Sequence, residues 1–397
     1  TTALGTFTAS AARTIDANEV DRVRFDVGAD VTLVESGETG AESVYQEGVG
    51  DVAASVGQSL IEAGWELPPV EDHLKVEGVL GAARVGRYRA RVDQHSGIGL
   101  IYGVDYRYLG PVAFFREDFA NESLGALMNR LAVQRDGVLI TEQAAAETNL
   151  RVGDTLRIHI NTEFLDATAP FVVVGVVRYF PTAYPHHNPV FVANLDYIFE
   201  VAGEQLPYRV WLETEPGVDP EELEENLSDQ GIHVMDMQVA EELVDKARRE
   251  KDRMGVFGFL SVGFIITVGL SVLAQALNAL MSFRQRTIEF GLARAIGLFQ
   301  SQVASSLSIE RAVVTLGGIV VGLGIGMLVS ELFVPYLQIG WRESEMVPPF
   351  QIVPAWADVA RAAAVMVVAS VLTNGVIVYL LARIRVFEAL KLGESLT

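Results

Sequence analysis

Arg284 to Gly297, RQRTIEFGLARAIG, is a short charged stretch set between long apolar runs, and its setting decides the fold. One run, Gly255 to Phe283, precedes it; a second follows at about Ala312 to Leu337 and a third at about Val359 to Ala382. Each exceeds the roughly 20 residues that cross a hydrocarbon core. Residues 1–253 are polar by comparison. The expected fold is a membrane protein: an α+β extracytoplasmic domain at 1–253, then transmembrane helices at about 255–283, 312–337 and 359–382 within 254–397. The loop 284–311 joins the first two spans.

Charge divides the chain in the same place. Residues 1–253 hold 43 of the 51 acidic and 21 of the 30 basic residues, a net −22 against +1 for the remainder. Nucleic-acid binding needs clustered Lys and Arg to neutralise phosphates, so this balance excludes it. With no cysteine, disulfides and thiolate metal sites are also excluded. The opening TTALGTFTASAARTID has no cleavage signature. Its small and apolar residues, ending at Arg13, read as the last turns of an earlier membrane helix, so a span is expected ahead of residue 1.

The polar region alternates short strands with helices. Asp26 to Glu35 reads as a strand, and Arg84 to Tyr108 is strongly β in character, with Arg87, Arg89 and Arg91 on one face. Those arginines suit either anionic lipid heads or the domain's own excess carboxylates, and internal pairing is the expectation. Helices are expected at Val52–Ala63, Glu122–Ala132 and Glu142–Thr148. Strands are expected at Thr155–Ile160, Phe171–Tyr179, Val190–Ala193 and Tyr208–Thr214. Asp219-Pro220 starts a helix, with Asp as N-cap and Pro at its first position. Two subdomains would meet near Gly110 to Asn121. Residues 238–253 read as a stalk helix running into the first span.

Positive-inside counting puts 284–311, which holds four arginines, and the tail with Arg383, Arg385 and Lys391 in the cytoplasm. The basic residues Lys246 to Arg253 oppose that orientation, but acids interleave with them and long domains escape the rule. The second span carries Gly318, Gly322 and Gly326, a spacing that lets helix backbones approach closely in lipid. Packing within the bundle is the expectation, and dimerisation the alternative. His186-His187 reads as a loop rather than a metal site, and no nucleophile–base arrangement stands out. No catalytic or metal residue is assigned.

RTIEFGLARAIG resembles the R-x-x-E-x-G-x-x-R-A-x-G element of the FtsX-like permease family, which includes MacB-type and lipoprotein-releasing permeases. Glu310 before a glycine-rich span and the exit RIRVFEALKLGE fit the same pattern. In the polar region YGVD (Tyr102–Asp105), VGDTL (Val152–Leu156), VVGVV (Val173–Val177) and VANLD (Val192–Asp196) resemble the family's extracytoplasmic domain. The resemblance implies a permease subunit with no cofactor, worked by a separate cytoplasmic ABC-type ATPase. The chain shows no phosphate-cradling G-x-x-x-x-G-K-[ST] loop of its own. It implies ATPase coupling through Arg284, Arg286, Glu289, Gly291, Arg294, Ala295, Gly297 and Glu310. It further implies homo- or heterodimer pairing in the plasma membrane and a lipid-linked, lipoprotein or amphipathic substrate at the outer leaflet. A regulator that activates an extracytoplasmic partner without transport is the alternative. A membrane-anchored receptor without an ATPase is a third.

Overall fold

The computed structural model describes residues 2–36, 68–92, 98–161, 166–184, 189–249, 262–263, 265–274, 276–278, 281, 299–334 and 347–383. They divide into two compact units, with residues 2–18, 249–334 and 349–383 in one and 19–248 and 347–348 in the other.

The larger unit is built on one nine-stranded sheet ordered β3-β7-β4-β6-β5-β2-β8-β1-β9. The strands are β1 (Val31–Ser36), β2 (Val79–Val92), β3 (Gly99–Val104), β4 (Gly137–Thr141), β5 (Thr155–Asn161), β6 (Asp166–Val177), β7 (Val190–Asn194), β8 (Arg209–Thr214) and β9 (His233–Val239). Strand β2 also pairs with β3, which closes β2, β3, β7, β4, β6 and β5 into a ring. At 14 residues it is long enough to serve both parts: Val79–Val85 pairs with β8 and Arg89–Val92 with β5.

Alternation along the ring strands sorts side chains inward and outward. Tyr88, Ala90, Ile101, Ile140, Ile158, Ile160, Phe171 and Phe191 share the interior core. The helix Leu195–Ala202 adds Leu195, Ile198 and Phe199 to that core and touches strands β2, β3, β6 and β7. On the outer face Val85, Tyr102, Leu139 and Val192 pack against Leu127, Met128 and Leu131 of the helix Leu124–Val133. A third core joins Val31, Leu33, Val210 and Leu212 to Leu223 and Leu227 of the helix Pro220–Asp229.

Local chemistry sets the helix ends. Ser123, Thr141, Asn194 and Asp219 each accept a backbone N–H as N-cap, and Pro220 stands in the first turn after Asp219. Gly203 ends its helix at φ +81°, the left-handed position that glycine takes without strain.

Several expectations change. Strand β1 begins only at Val31, because α1 (Thr2–Val27) extends to Val27 rather than ending near Arg13. No subdomain boundary falls at Gly110–Asn121: residues 19–248 form a single unit whose described strands all belong to one sheet. Gln238 and Val239, read as the start of a stalk helix, pair with β1 as the end of β9, and the helix that follows is Ala240–Arg249. Val52–Ala63 lies outside the described residues.

In the other unit α9 runs Gln300–Phe333 and α10 runs Trp356–Arg383, after the helices Val70–His73 (α2), Leu109–Val112 (α3), Leu124–Val133 (α4), Glu142–Thr148 (α5), Leu195–Ala202 (α6), Pro220–Asp229 (α7) and Ala240–Arg249 (α8). The stretches Ser308–Phe333 and Trp356–Thr373 are long and apolar enough to cross a membrane, and Ile265–Asn278 is a shorter apolar helix. Residues 300–311, expected as loop, are instead the first turns of α9, where the Gln302 side chain accepts the Phe299 N–H at 3.0 Å.

Candidate transmission site

The first 17 residues of α1 belong to the helical unit. Thr6, Ser10, Thr14 and Asn18 recur every fourth residue on one helix face and are all buried. On α9 Gly322, Gly326 and Ser330 form a matching buried row. A Cβ built on Gly326 would lie 2.6 Å from Thr6 Cβ and 2.8 Å from the Ala3 carbonyl oxygen, so only glycine admits α1 there. Ser330 Oγ donates to the Gly326 carbonyl at 2.8 Å, and Thr14 Oγ1 accepts the Val353 N–H at 3.0 Å. Thr315 and Ser370 join α9 to α10 at 3.1 Å. The outward residues Val314, Val320, Val321, Leu328 and Leu372 are exposed. Small polar residues inside and large apolar ones outside is the pattern expected of helices packed in lipid.

The sequence-predicted packing glycines are therefore placed unequally. Gly322 and Gly326 are buried, whereas a Cβ on Gly318 would meet nothing within 4 Å. Glu310 lies exposed on α9. Arg361 makes a 2.8 Å ion pair with Asp358 one turn away. Arg284, Arg286, Glu289, Gly291, Arg294, Ala295 and Gly297 lie outside the described residues, as do His186 and His187. Among the described residues no group of three or more His, Asp or Glu side chains is arranged to hold a metal.

The end of α1 belongs to the larger unit and is clasped there. Phe25 is fully buried and meets Phe119 edge-on at 5.6 Å and Tyr184 at 5.6 Å. Phe119, also fully buried, touches the rings of Phe114, Phe115 and Tyr179. Val347, nine residues ahead of α10, is buried in the same cluster. Two stretches of chain that lead to and from the helical unit thus end on one aromatic cluster. Each edge-on pair adds about 0.5–1.5 kcal/mol beyond area burial.

Polar contacts fix the clasp's geometry. Arg116 lies over the Phe119 ring at 5.2 Å and pairs with Asp21 of α1 at 2.6 Å and with Asp118 at 2.5 Å. Burial pulls its pKa down, but these two carboxylates raise it further, so the guanidinium stays charged. Tyr184 Oη donates to Asp26 at 2.7 Å, and burial together with that carboxylate holds the phenol protonated. The Thr182 N–H donates to the Phe25 carbonyl at 2.8 Å. Gly28 turns the chain out of α1 at φ +91°, where a Cβ would lie 2.4 Å from the Trp211 ring.

Sequence reasoning missed this clasp, because Asp21 and Arg116 are 95 residues apart and each alone is an ordinary surface charge. Two quoted motifs do meet. YGVD and VANLD end the parallel pair β3–β7, and Arg84 bridges their acidic residues, Asp105 at 3.0 Å and Asp196 at 3.1 Å. Elsewhere His73 Nε2 bonds Glu35 Oε1 in full burial, and Glu35 Oε2 has no hydrogen-bond partner among the described residues. Burial lowers the His73 pKa, but the Glu35 hydrogen bond and charge outweigh it and leave it raised.

The family profile described as MacB-like periplasmic core domain matches residues 2–230, and that described as FtsX-like permease C-terminal matches residues 260–386. The crystal structure of the periplasmic region of MacB from Actinobacillus actinomycetemcomitans is similar at 12% identity and TM-score 0.32, over 56% of this chain and 95% of that one. The extracellular domain of the noncanonic ABC-type transporter YknZ from Gram-positive bacteria is similar at 13% identity and TM-score 0.28, over 55% and 96%. No curated protein matches the chain.

Proposed function

The chain belongs to the FtsX-like permeases with a MacB-like periplasmic core domain, and from that premise we propose that it is the membrane subunit of an ABC-type transporter whose ATPase is a separate cytoplasmic protein. The charged element Arg284, Arg286, Glu289, Gly291, Arg294, Ala295 and Gly297, with Glu310, docks on that ATPase. The chain sits as a multi-pass protein in the plasma membrane with residues 19–248 outside the cytoplasm, and it works as a homo- or heterodimer. Its cargo is lipid-linked, a lipoprotein or otherwise amphipathic, and moves at the outer leaflet.

The observation that carries the reading is the clasp. A domain that merely hung from the membrane would need one flexible tether. Here the end of α1 and Val347, in the segment leading to α10, are both packed on Phe119, and Arg116 ties α1 down with buried charge. Charge-assisted hydrogen bonds of this kind are roughly twice as strong as neutral ones, so displacement of α1 displaces what holds it. ATP-driven motion of the spans then reaches the outer domain without a channel for the cargo.

Co-purification tests the proposal. The detergent-solubilised chain is expected to recover an ABC-type ATPase from its own cells, and the double variant Glu289→Lys, Arg294→Glu to lose it. Equal recovery by both, or recovery by neither, would remove the coupling role and favour the receptor reading.

A further inference from the structure

In the larger unit several arginines are held by carboxylates. Arg84, Arg116, Arg130, Arg135 and Arg178 each contact a carboxylate. With 43 acidic residues in 1–253 there is no shortage of partners. Arg89, Arg91 and Arg157 differ from those five: all three are exposed on one sheet face, and none makes an ion pair among the described residues. Among the described residues the internal pairing expected of the β2 arginines is not seen for Arg89 and Arg91.

These residues sit together. Arg87, Arg89 and Arg91 alternate outward on β2. Across the β2–β5 pairing Arg91 lies opposite His159 and Arg89 opposite Asn161, and Arg157 follows on the same face of β5. Strand spacing sets neighbouring cations about 5–7 Å apart. Arg209 of β8, opposite Val85, extends the row; burial and the Arg87 charge both lower its pKa, a sign of crowded positive charge. This is the outer face of the ring, which Val85 shares. Ile98, 69% exposed, stands just before β3 at the end of the face where Arg91 lies.

We infer that the Arg87–Arg89–Arg91–Arg157 face docks on an anionic phospholipid surface. Guanidinium forks match phosphate oxygens. A cluster of exposed cations with the exposed apolar Ile98 at its end suits a headgroup layer. An acidic peptide adding as a strand would need a free edge, and β2 and β5 are each paired on both sides. Residues 1–253 as a whole, at net −22 with these arginines included, repel such a surface, so contact is confined to this face. The inference needs a membrane nearby but neither an ATPase nor transport.

The test uses the full chain in nanodiscs. It has no cysteine, so Asn161→Cys carries a single fluorophore on the face. Anionic phospholipid is supplied in the disc itself and, separately, as added vesicles, each with a headgroup quencher, beside neutral-lipid controls. Quenching by anionic but not neutral lipid, in either geometry, is expected, and it should fade at high salt. Each arginine near an anionic surface contributes roughly fivefold in affinity, so Arg89→Gln, Arg91→Gln, Arg157→Gln together should weaken it about 100-fold. Arg107→Gln, Arg135→Gln, Arg151→Gln, with the same charge change elsewhere, should not. Equal response to anionic and neutral lipid in both geometries overturns the inference. So does binding of poly-glutamate without binding of vesicles, which would assign the face to an acidic polypeptide. Should the triple variant fail to fold, the lipid, salt and poly-glutamate arms on the labelled chain alone still decide.

Discussion

The two units of this chain bury opposite things. In the larger one Phe25, Phe119, Phe171 and Trp211 are inside, and charge is outside except where it is paired. In the helical one Thr6, Ser10, Thr14, Gly326 and Ser330 are inside, while valines and leucines of α9 and α10 face out. Water drives the first arrangement, since apolar area removed from it stabilises by about 25 cal/mol per Å². That drive is absent among lipid tails, so the second rests on close backbone approach and hydrogen bonds. Helix α1 belongs to both regimes: polar and small on its buried face at Thr6–Asn18, aromatic at Phe25.

Truncating the aromatic centre should separate the regimes most sharply. Phe119→Ala removes a fully buried ring with four aromatic neighbours and is expected to cost about 3–5 kcal/mol, read as a lower unfolding midpoint of the larger unit. Leu328→Ala, an apolar truncation of an exposed α9 residue, should shift the midpoint in detergent by about 0.5 kcal/mol or less.

Adding bulk should have the converse pattern. Gly326→Leu forces side-chain atoms into Thr6 and the Ala3 carbonyl, and about 1–3 kcal/mol of destabilisation is expected, whereas Gly318→Leu meets open space and should be tolerated. Equal melting of the two variants would mean that α1 is not seated on Gly326.

Removing one buried charge comes next. Arg116→Ala strands Asp21 and Asp118, and about 1.5–3 kcal/mol is expected, with Asp21→Asn costing less because the Arg116–Asp118 pair remains. A chemical-denaturation series on both variants checks the order.

The smallest effect is pH-dependent. Because the folded pKa of His73 is raised, its pairing with Glu35 contributes fully below the unfolded value of about 6.5 and is lost as pH rises through the folded value. The gap in melting temperature between the wild type and His73→Gln should therefore be wider at acid than at alkaline pH. A gap that widens with rising pH would mean that His73 is buried neutral.

What the sequence disclosed follows the range of the forces involved. The Asp219-Pro220 start, the β character of Arg84 to Tyr108 and the helix at Glu142–Thr148 are local, and each is found in the structure. The closure of six strands into a ring is not local, since it requires β2 to find β5 some 70 residues away. His233–Val239 was misread in part because every residue of β9 after His233 is only half-buried, so no clean alternation marks it as a strand. The reach of α1 beyond Arg13 was hidden by polar residues whose partners, Arg116 above all, lie far along the chain. The coupling motif was legible as a motif, but its placement lies outside the described residues.

The central claim is that nucleotide-driven motion reaches the outer unit through the clasp. Spin labels at Val314→Cys on α9 and Val133→Cys on α4, both exposed positions in a chain without other cysteines, report it by pulsed dipolar distance measurement in the ATPase complex. The account predicts a distance distribution that changes on ATP binding and a change that is lost in Phe119→Ala, Arg116→Ala while the ATPase stays bound. An ATP-dependent change that survives in that variant, or none in the intact chain, would contradict it.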